Sequence, residues 1–282
     1  METKFNEQLK PKKKRRLRPG WQDRLPVKPI LFAALAVLLI TVLVLINRPT
    51  ATVLSSPELD VIKSSGVLRV GVDDGVEGLY QNGAGYERAV AENIAMLIFG
   101  NTEGLTLVPV DRYEAPWRMN DGELDLVLMS MPKFSQDGYD RSAVPFFTDR
   151  SVILAYEQFD TLAGKTVAVL EDTPSESLLY DYLQSVEPEM AVQPCADYYS
   201  MRVKLRAGTV DAVCLPRTVA VTWHESRTKI LPFSIGSIDY YAIAKKDSVL
   251  LELCSELFYD WRLDGTFSEL ARRYGVEWGA NG

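Results

Sequence analysis

A single histidine, His224, is the first scarcity in this chain, and it removes whole classes of chemistry. A Ser-His-Asp or Cys-His nucleophile needs a histidine set by its partners, and one residue in 282 offers little choice of arrangement. A zinc site built on clustered histidines is disfavoured for the same reason. Cysteine is nearly as sparse. Cys195, Cys214 and Cys254 are an odd number, so an exported domain would leave at least one thiol unpaired. Buried reduced thiols fit best, with a Cys195 to Cys214 disulfide as the alternative. None of the three follows the N-terminal apolar run, so no site exists there for a lipid-modified cysteine.

Acidic residues are scarce only at the N-terminus. Residues 1–28 hold ten Lys and Arg against three Asp and Glu, a balance of +7, and the other 254 hold 21 against 35, or −14. Residues 30–46, ILFAALAVLLITVLVLI, are 17 residues without a charge. At about 1.5 Å per residue they just span a hydrocarbon core of roughly 30 Å, so 29–47 is read as a transmembrane anchor in the cell membrane. The positive-inside rule then makes 1–28 a basic cytoplasmic segment and places everything after Asn47 outside, in a single-pass arrangement. A cleaved signal peptide is the alternative, but its apolar core would be long and NRPTATVLSSPE offers a weak cleavage pattern. The basic run also suits nucleic acid, yet the helix a dozen residues later explains it better, and no nucleic-acid partner is expected.

Residues 48–58 read as a spacer, with Pro49 and Pro57 in it. Beyond it, strand and helix patterns alternate. Residues 66–72 (GVLRVGV), 105–110 and 124–129 read as strands, with helices over 86–99 and 113–120 between them. Residues 124–129 form an apolar run opened by an Asp-Gly turn, which suits a strand covered on both faces in a parallel sheet. A second unit repeats the plan, with strands over 162–170, 191–194 and 211–215, and helices over 175–185 and 198–207. Extended runs near 151–157 and 238–245 cross between the units, and helices over 248–263 and 266–274 close the chain. Two α/β lobes joined by two strands leave a cleft, where small ligands bind.

Seven segments stand in order between about residue 60 and residue 279. They are GVLRVGVDD, GYERAVAENIA, DGELDLVLMS, DRSAVPFFTD, LAGKTVAVLEDT, AGTVDAVCL and YDWRLDGTFSELARRYG. In this order the chain resembles the extracellular solute-binding proteins of the polar amino-acid type (family 3), two-lobed receptors of bacterial ABC importers. The resemblance implies a two-lobed periplasmic binding protein-like II fold of α/β class behind one N-terminal transmembrane helix. Lobe 1 would be 59–153 and 240–282, lobe 2 would be 154–239, and hinges would lie near 154–156 and 238–241. It implies no enzyme activity, no cofactor and no metal. Its implied partners are a small polar or amino-acid-like solute, an ABC permease and the bilayer around residues 30–46.

The resemblance also names a site. Arg141, six residues before Phe147, matches the family arginine that grips a ligand carboxylate, as a planar guanidinium suits. Ser130 matches the hydroxyl after the third strand, Thr173 the threonine opening the first helix of lobe 2, and Asp73 an acid at the cleft mouth. The aromatic covering the ligand falls on Leu79, with Tyr80 one step away. The chain departs from the pattern elsewhere. Pro216 stands where the family has its ammonium-binding aspartate, Pro132 where a hydroxyl is common, Asp172 replaces a glycine, and extra residues separate Ser130 from Arg141. These departures carry a second expectation, a membrane-anchored sensory or scaffolding protein that kept the fold and lost amino-acid binding. A third is a cyclohexadienyl dehydratase-like enzyme, which would need an acid in the cleft such as Glu171 or Asp172.

Overall fold

The computed structural model describes residues 56–73, 76–130, 138–186, 189–223 and 227–277. The basic segment, the apolar run 30–46, most of the spacer, Pro132 and His224 lie outside the described residues. Among the described residues no helix is long and apolar enough to cross a membrane.

The first described element is a helix, α1 (Pro57–Ser65), beginning inside the stretch that reads as spacer. Ser56 caps it by accepting from the Leu59 amide at 3.2 Å, Pro57 fits its first turn, and Gly66 stops it at φ 69°. Glu58 then caps a helix near the other end of the chain, accepting from the Ser248 hydroxyl and the Val249 amide, both at 2.6 Å. The residues after Ser56 are therefore built into the domain.

There follow β1 (Leu68–Asp73), a hairpin of β2 (Tyr80–Gln81) and β3 (Ala84–Gly85), α2 (Tyr86–Phe99), β4 (Leu105–Val110), α3 (Glu114–Asn120) and β5 (Leu126–Ser130). Next come β6 (Tyr139–Arg141), β7 (Phe147–Ala155), β8 (Thr166–Leu170), α4 (Pro174–Ser185), β9 (Ala191–Cys195), α5 (Tyr198–Ala207) and β10 (Ala212–Pro216). A short α6 (Arg217–Thr222), the long β11 (Lys229–Lys245), α7 (Val249–Asp264) and α8 (Thr266–Tyr274) complete the chain. The α/β alternation expected from the sequence is present in both halves.

The strands run β4-β1-β5-β11-β7-β10-β8-β9, with β6 added to β11. In one half β1 is parallel to both β4 and β5, and in the other β8 is parallel to both β9 and β10. The two trios share one plan, and β7 and β11 join them in antiparallel pairing. β5 is a central strand, with Leu126, Val127, Leu128 and Met129 all at 0% exposure, as its unbroken apolar run requires. β11, at 17 residues, is long enough to pass through both halves, and its pairing with β7 is interrupted by an irregularity between Leu231 and Gly236. From Ser151 onward β7 also pairs with β10, so it has already joined the second half ahead of residues 154–156.

An aromatic cluster packs the first half against the crossing strands. Tyr86, fully buried at the start of α2, donates its hydroxyl to the Phe146 carbonyl at 2.8 Å, and its ring lies 5.2 Å from that of Phe147. Tyr240 and Phe258 close the cluster from β11 and α7. The second half has its own core of Ile153, Val167, Val169, Leu179 and Cys214 among others. All three cysteines are buried and free, and burial pushes the Cys214 thiol up to about 12.

Candidate functional site

Parallel strands direct their carboxyl ends, and the loops beyond them, toward one side of a sheet, where α/β folds bind ligands. Here two parallel trios do so toward each other. Asp73 ends β1, Asp111 to Tyr113 follow β4, and Ser130 ends β5; opposite them Thr173 and Ser175 follow β8, Tyr198 follows β9 and Pro216 ends β10. All of these line one cavity of about 360 Å³, with Ile238 and Tyr240 of β11 as its floor. That volume suits a small molecule.

The second-half rim is shaped by a capped helix. Thr173 caps α4, donating its hydroxyl to the Leu170 carbonyl at 2.6 Å and accepting from the Glu176 amide at 3.4 Å, while Glu176 accepts from the Asp172 amide at 2.8 Å. Thr173 and Glu176 thus form a variant of the capping box. Asp172 sits at φ 54°, in the left-handed region the resemblance gives to glycine. This turn presents the Glu171 carbonyl to Arg112 Nη2 at 2.9 Å and the Asp172 carboxylate to the Tyr113 hydroxyl at 3.1 Å. Both bonds cross the cleft. Thr222 of α6 donates to Glu77 of the cavity lining at 2.8 Å, and in a separate pocket Arg217 forms two bonds to Glu277 at 2.6 and 2.8 Å.

Four carboxylates and one guanidinium line the cavity: Asp73, Glu77, Asp111, Asp197 and Arg112. Two of the acids also cap helices. Asp111 accepts from the Tyr113 and Glu114 amides, both at 2.7 Å, and Asp197 accepts from the Ser200 amide at 2.6 Å and its hydroxyl at 3.0 Å. The Ser200 bonds hold the Asp197 carboxyl below its ordinary value. Burial, reinforced by the charge of Asp73, pushes the Tyr198 phenol well above its usual range, so Tyr198 meets a ligand as a neutral hydroxyl. Pro216 lines the cavity where the resemblance has an aspartate.

The residues expected from the sequence do not all meet. Asp73, Ser130 and Thr173 line the cavity together. Arg141 lines a neighbouring pocket of about 290 Å³ that shares Thr173, Pro174 and Ile238 with it. Its guanidinium lies 4.2 Å from the centre of the Tyr241 ring, with Asp172 and Asp239 in the same pocket. Tyr80 is only 6% exposed and packs in the core, lining neither pocket, so the structure moves it from the site to the interior. Sequence reasoning missed Arg112, Tyr113, Ser175 and Tyr198. The segment DRY follows a strand directly, the same signal that singled out Asp73 and Ser130.

No family model matches the chain. Solved structures do. ArgBP from T. maritima matches with a TM-score of 0.61 at 23% identity, over 78% of this chain and 100% of its own. This chain shares the fold of that structure. The amino acid ABC transporter substrate-binding protein AbpA from Streptococcus pneumoniae, bound to L-arginine, gives 0.61 at 21% identity, covering 76% of this chain and 97% of that one. The solute receptor for L-cysteine of Neisseria gonorrhoeae gives 0.62 at 16% identity, over 77% and 92%. At such identities the likeness carries the architecture, while the site must be argued from this chain's own residues.

The cross-cleft turn makes a prediction. Asp172→Gly relieves the left-handed backbone but removes the acceptor of Tyr113, so unfolding free energy measured in urea should change by less than about 1 kcal/mol. Solute affinity should nevertheless fall about two- to tenfold, the worth of one hydrogen bond realised only across the closed cleft.

Proposed function

We propose that the protein is an extracytoplasmic solute-binding protein that captures a small polar, carboxylate-bearing, amino-acid-like solute and presents it to an ABC permease. The observation that carries this reading is the single cavity formed where both parallel trios end, with hydrogen bonds spanning its mouth. Closure is a hinge motion in the two crossing strands, around Asp149 to Ser151 of β7 and Gly236 to Ile238 of β11, beside the pairing irregularity between Leu231 and Gly236. Residues 30–46 tether the domain to the cell membrane with the basic segment inside, supported by the charge asymmetry along the chain. Capture without catalysis is supported by the substrate-binding neighbours and by the bond that the Asp172 carboxylate accepts from Tyr113 across the cleft.

Thermal or urea melts of the full-length protein with the twenty L-amino acids test it. At about 100 times the dissociation constant, the cognate solute adds about 2.7 kcal/mol of stability. Four carboxylates around one guanidinium favour solutes carrying a positive group over dianions. No stabilisation across the panel and related acids would sink the transport reading. It would favour instead a sensory or scaffolding protein that lost amino-acid binding, the alternative that Pro216 in the cavity wall supports.

A further inference from the structure

We infer that Arg112, and not Arg141, holds the anionic group of the solute, with the Ser175 hydroxyl as a second donor from the opposite lobe. This assignment rests on the solute-binding reading above and adds to it the group that selects the ligand. Two buried polar atoms of the cavity-lining residues lack a hydrogen-bond partner: Arg112 Nε and Ser175 Oγ. Ser175 is 2% exposed, so its hydroxyl is not satisfied by bulk water. A buried donor left unmade is costly and calls for a partner, and these two border the cavity.

The two residues stand on opposite sides of the cleft, Arg112 beyond β4 and Ser175 in the first turn of the 12-residue helix α4. Arg112 is also fixed in direction. Its Nη2 is held by the Glu171 carbonyl at 2.9 Å and the Tyr113 hydroxyl at 3.2 Å, so the guanidinium is positioned before any solute arrives. The first-turn amides of α4 add their partial positive charge near Ser175. Arg141 has none of this enclosure. It is exposed, stacked on Tyr241, and lines the adjacent pocket beside two carboxylates.

The anion is a single charge. Asp73, Glu77, Asp111 and Asp197 line the same cavity, so a second negative group on the solute would face carboxylates. The ligand class is therefore a zwitterion or a monoanion that also carries a cationic or neutral polar part.

Titration calorimetry with the full-length protein tests the assignment, using the L-amino acid that binds the wild type most tightly and its α-carboxamide. In the wild type the carboxamide binds about ten- to a hundredfold more weakly than the acid, as losing a charge-assisted hydrogen bond predicts. In Arg112→Ala the acid and the carboxamide bind alike, in Ser175→Ala the preference shrinks, and in Arg141→Ala it is unchanged. Arg112→Lys, which keeps the charge, recovers part of the preference and guards against a folding defect, as do melts of each variant. Discrimination that persists in Arg112→Ala, or disappears in Arg141→Ala, overturns the assignment while leaving solute binding intact. Absence of binding by the wild type to any amino acid overturns the solute-binding reading itself, and this inference with it.

Discussion

Asp149→Ala lowers the unfolding free energy by about 2–6 kcal/mol, because it orphans two buried donors at once, each worth about 1–3 kcal/mol. Asp149 is 3% exposed and sits on β7 opposite Ile238, where the sheet passes from one half to the other. Its carboxylate accepts from the Thr218 amide at 3.0 Å, the Thr218 hydroxyl at 2.6 Å and the Arg150 amide at 2.7 Å. Alanine leaves the Thr218 donors, on a residue 8% exposed, facing no acceptor. Asp149→Asn keeps one carbonyl oxygen for Thr218 but turns an amide group toward the Arg150 N–H, so it falls between alanine and wild type at neutral pH. Urea melts measure the series.

The same residue sets a pH dependence with a definite sign. Burial is the largest influence on the Asp149 carboxyl and raises its pKa above the ordinary 3.8, against the opposing bonds from Thr218 and Arg150 and the charge of Arg217. Between 3.8 and the raised value the folded state holds the proton more tightly than the unfolded chain, so stability falls as pH rises. The contribution of this group is greatest below 3.8, is lost through its folded value, and is flat above it. Melts from pH 4 to pH 7 should therefore show wild type losing ground to Asp149→Asn as pH rises. A gap that moves the other way would mean that the Thr218 bonds outweigh burial in the folded protein.

Much of the architecture was legible because the strands and long helices obey simple periodicities. The apolar run at 126–129 and the Gly stops at 100, 208 and 265 stand where pattern and capping place them. Short elements escaped for physical reasons. α6 spans six residues, too few for a helical period to show, and the first half of β11 passes through an irregularity near Gly236 that breaks its alternation. The β2–β3 hairpin did have a signal: Asn82 and Gly83 between two short strands, at φ 52° and 79°, is the Asn-Gly pair of a two-residue hairpin turn.

Tyr80 was drawn to the site by its closeness to Leu79, yet both are buried, at 6% and 0%. Arg141 shows a different limit. Counting six residues back from Phe147 finds the arginine, but the pairing of Arg141 with Ile243 on β11 decides which pocket its guanidinium enters. Distance along a chain does not carry that information.

Gly78→Ala weakens solute capture by at least about thirtyfold, corresponding to roughly 2 kcal/mol or more against closure. Gly78 lies in the loop after β1 that brings Val76 and Glu77 to the cavity, and it approaches α6 of the other half. Its φ is +98°, where a side chain is strained by about 1–3 kcal/mol. An added Cβ would also stand 2.6 Å from Thr218 Cγ2, an overpacking of similar cost, about 1–3 kcal/mol. The loop can lift away from α6 without the domain unfolding, so the effect belongs in binding more than in melting. Lifting also breaks the Glu77 to Thr222 bond. Thr218→Ser separates the two costs, since it deletes the methyl that Cβ meets and keeps the hydroxyl that Asp149 accepts. The double variant Gly78→Ala with Thr218→Ser should recover the overpacking part of the lost affinity and retain the part due to φ. A double variant no better than Gly78→Ala alone would show that backbone strain, and not contact between the two halves, governs how this cleft closes.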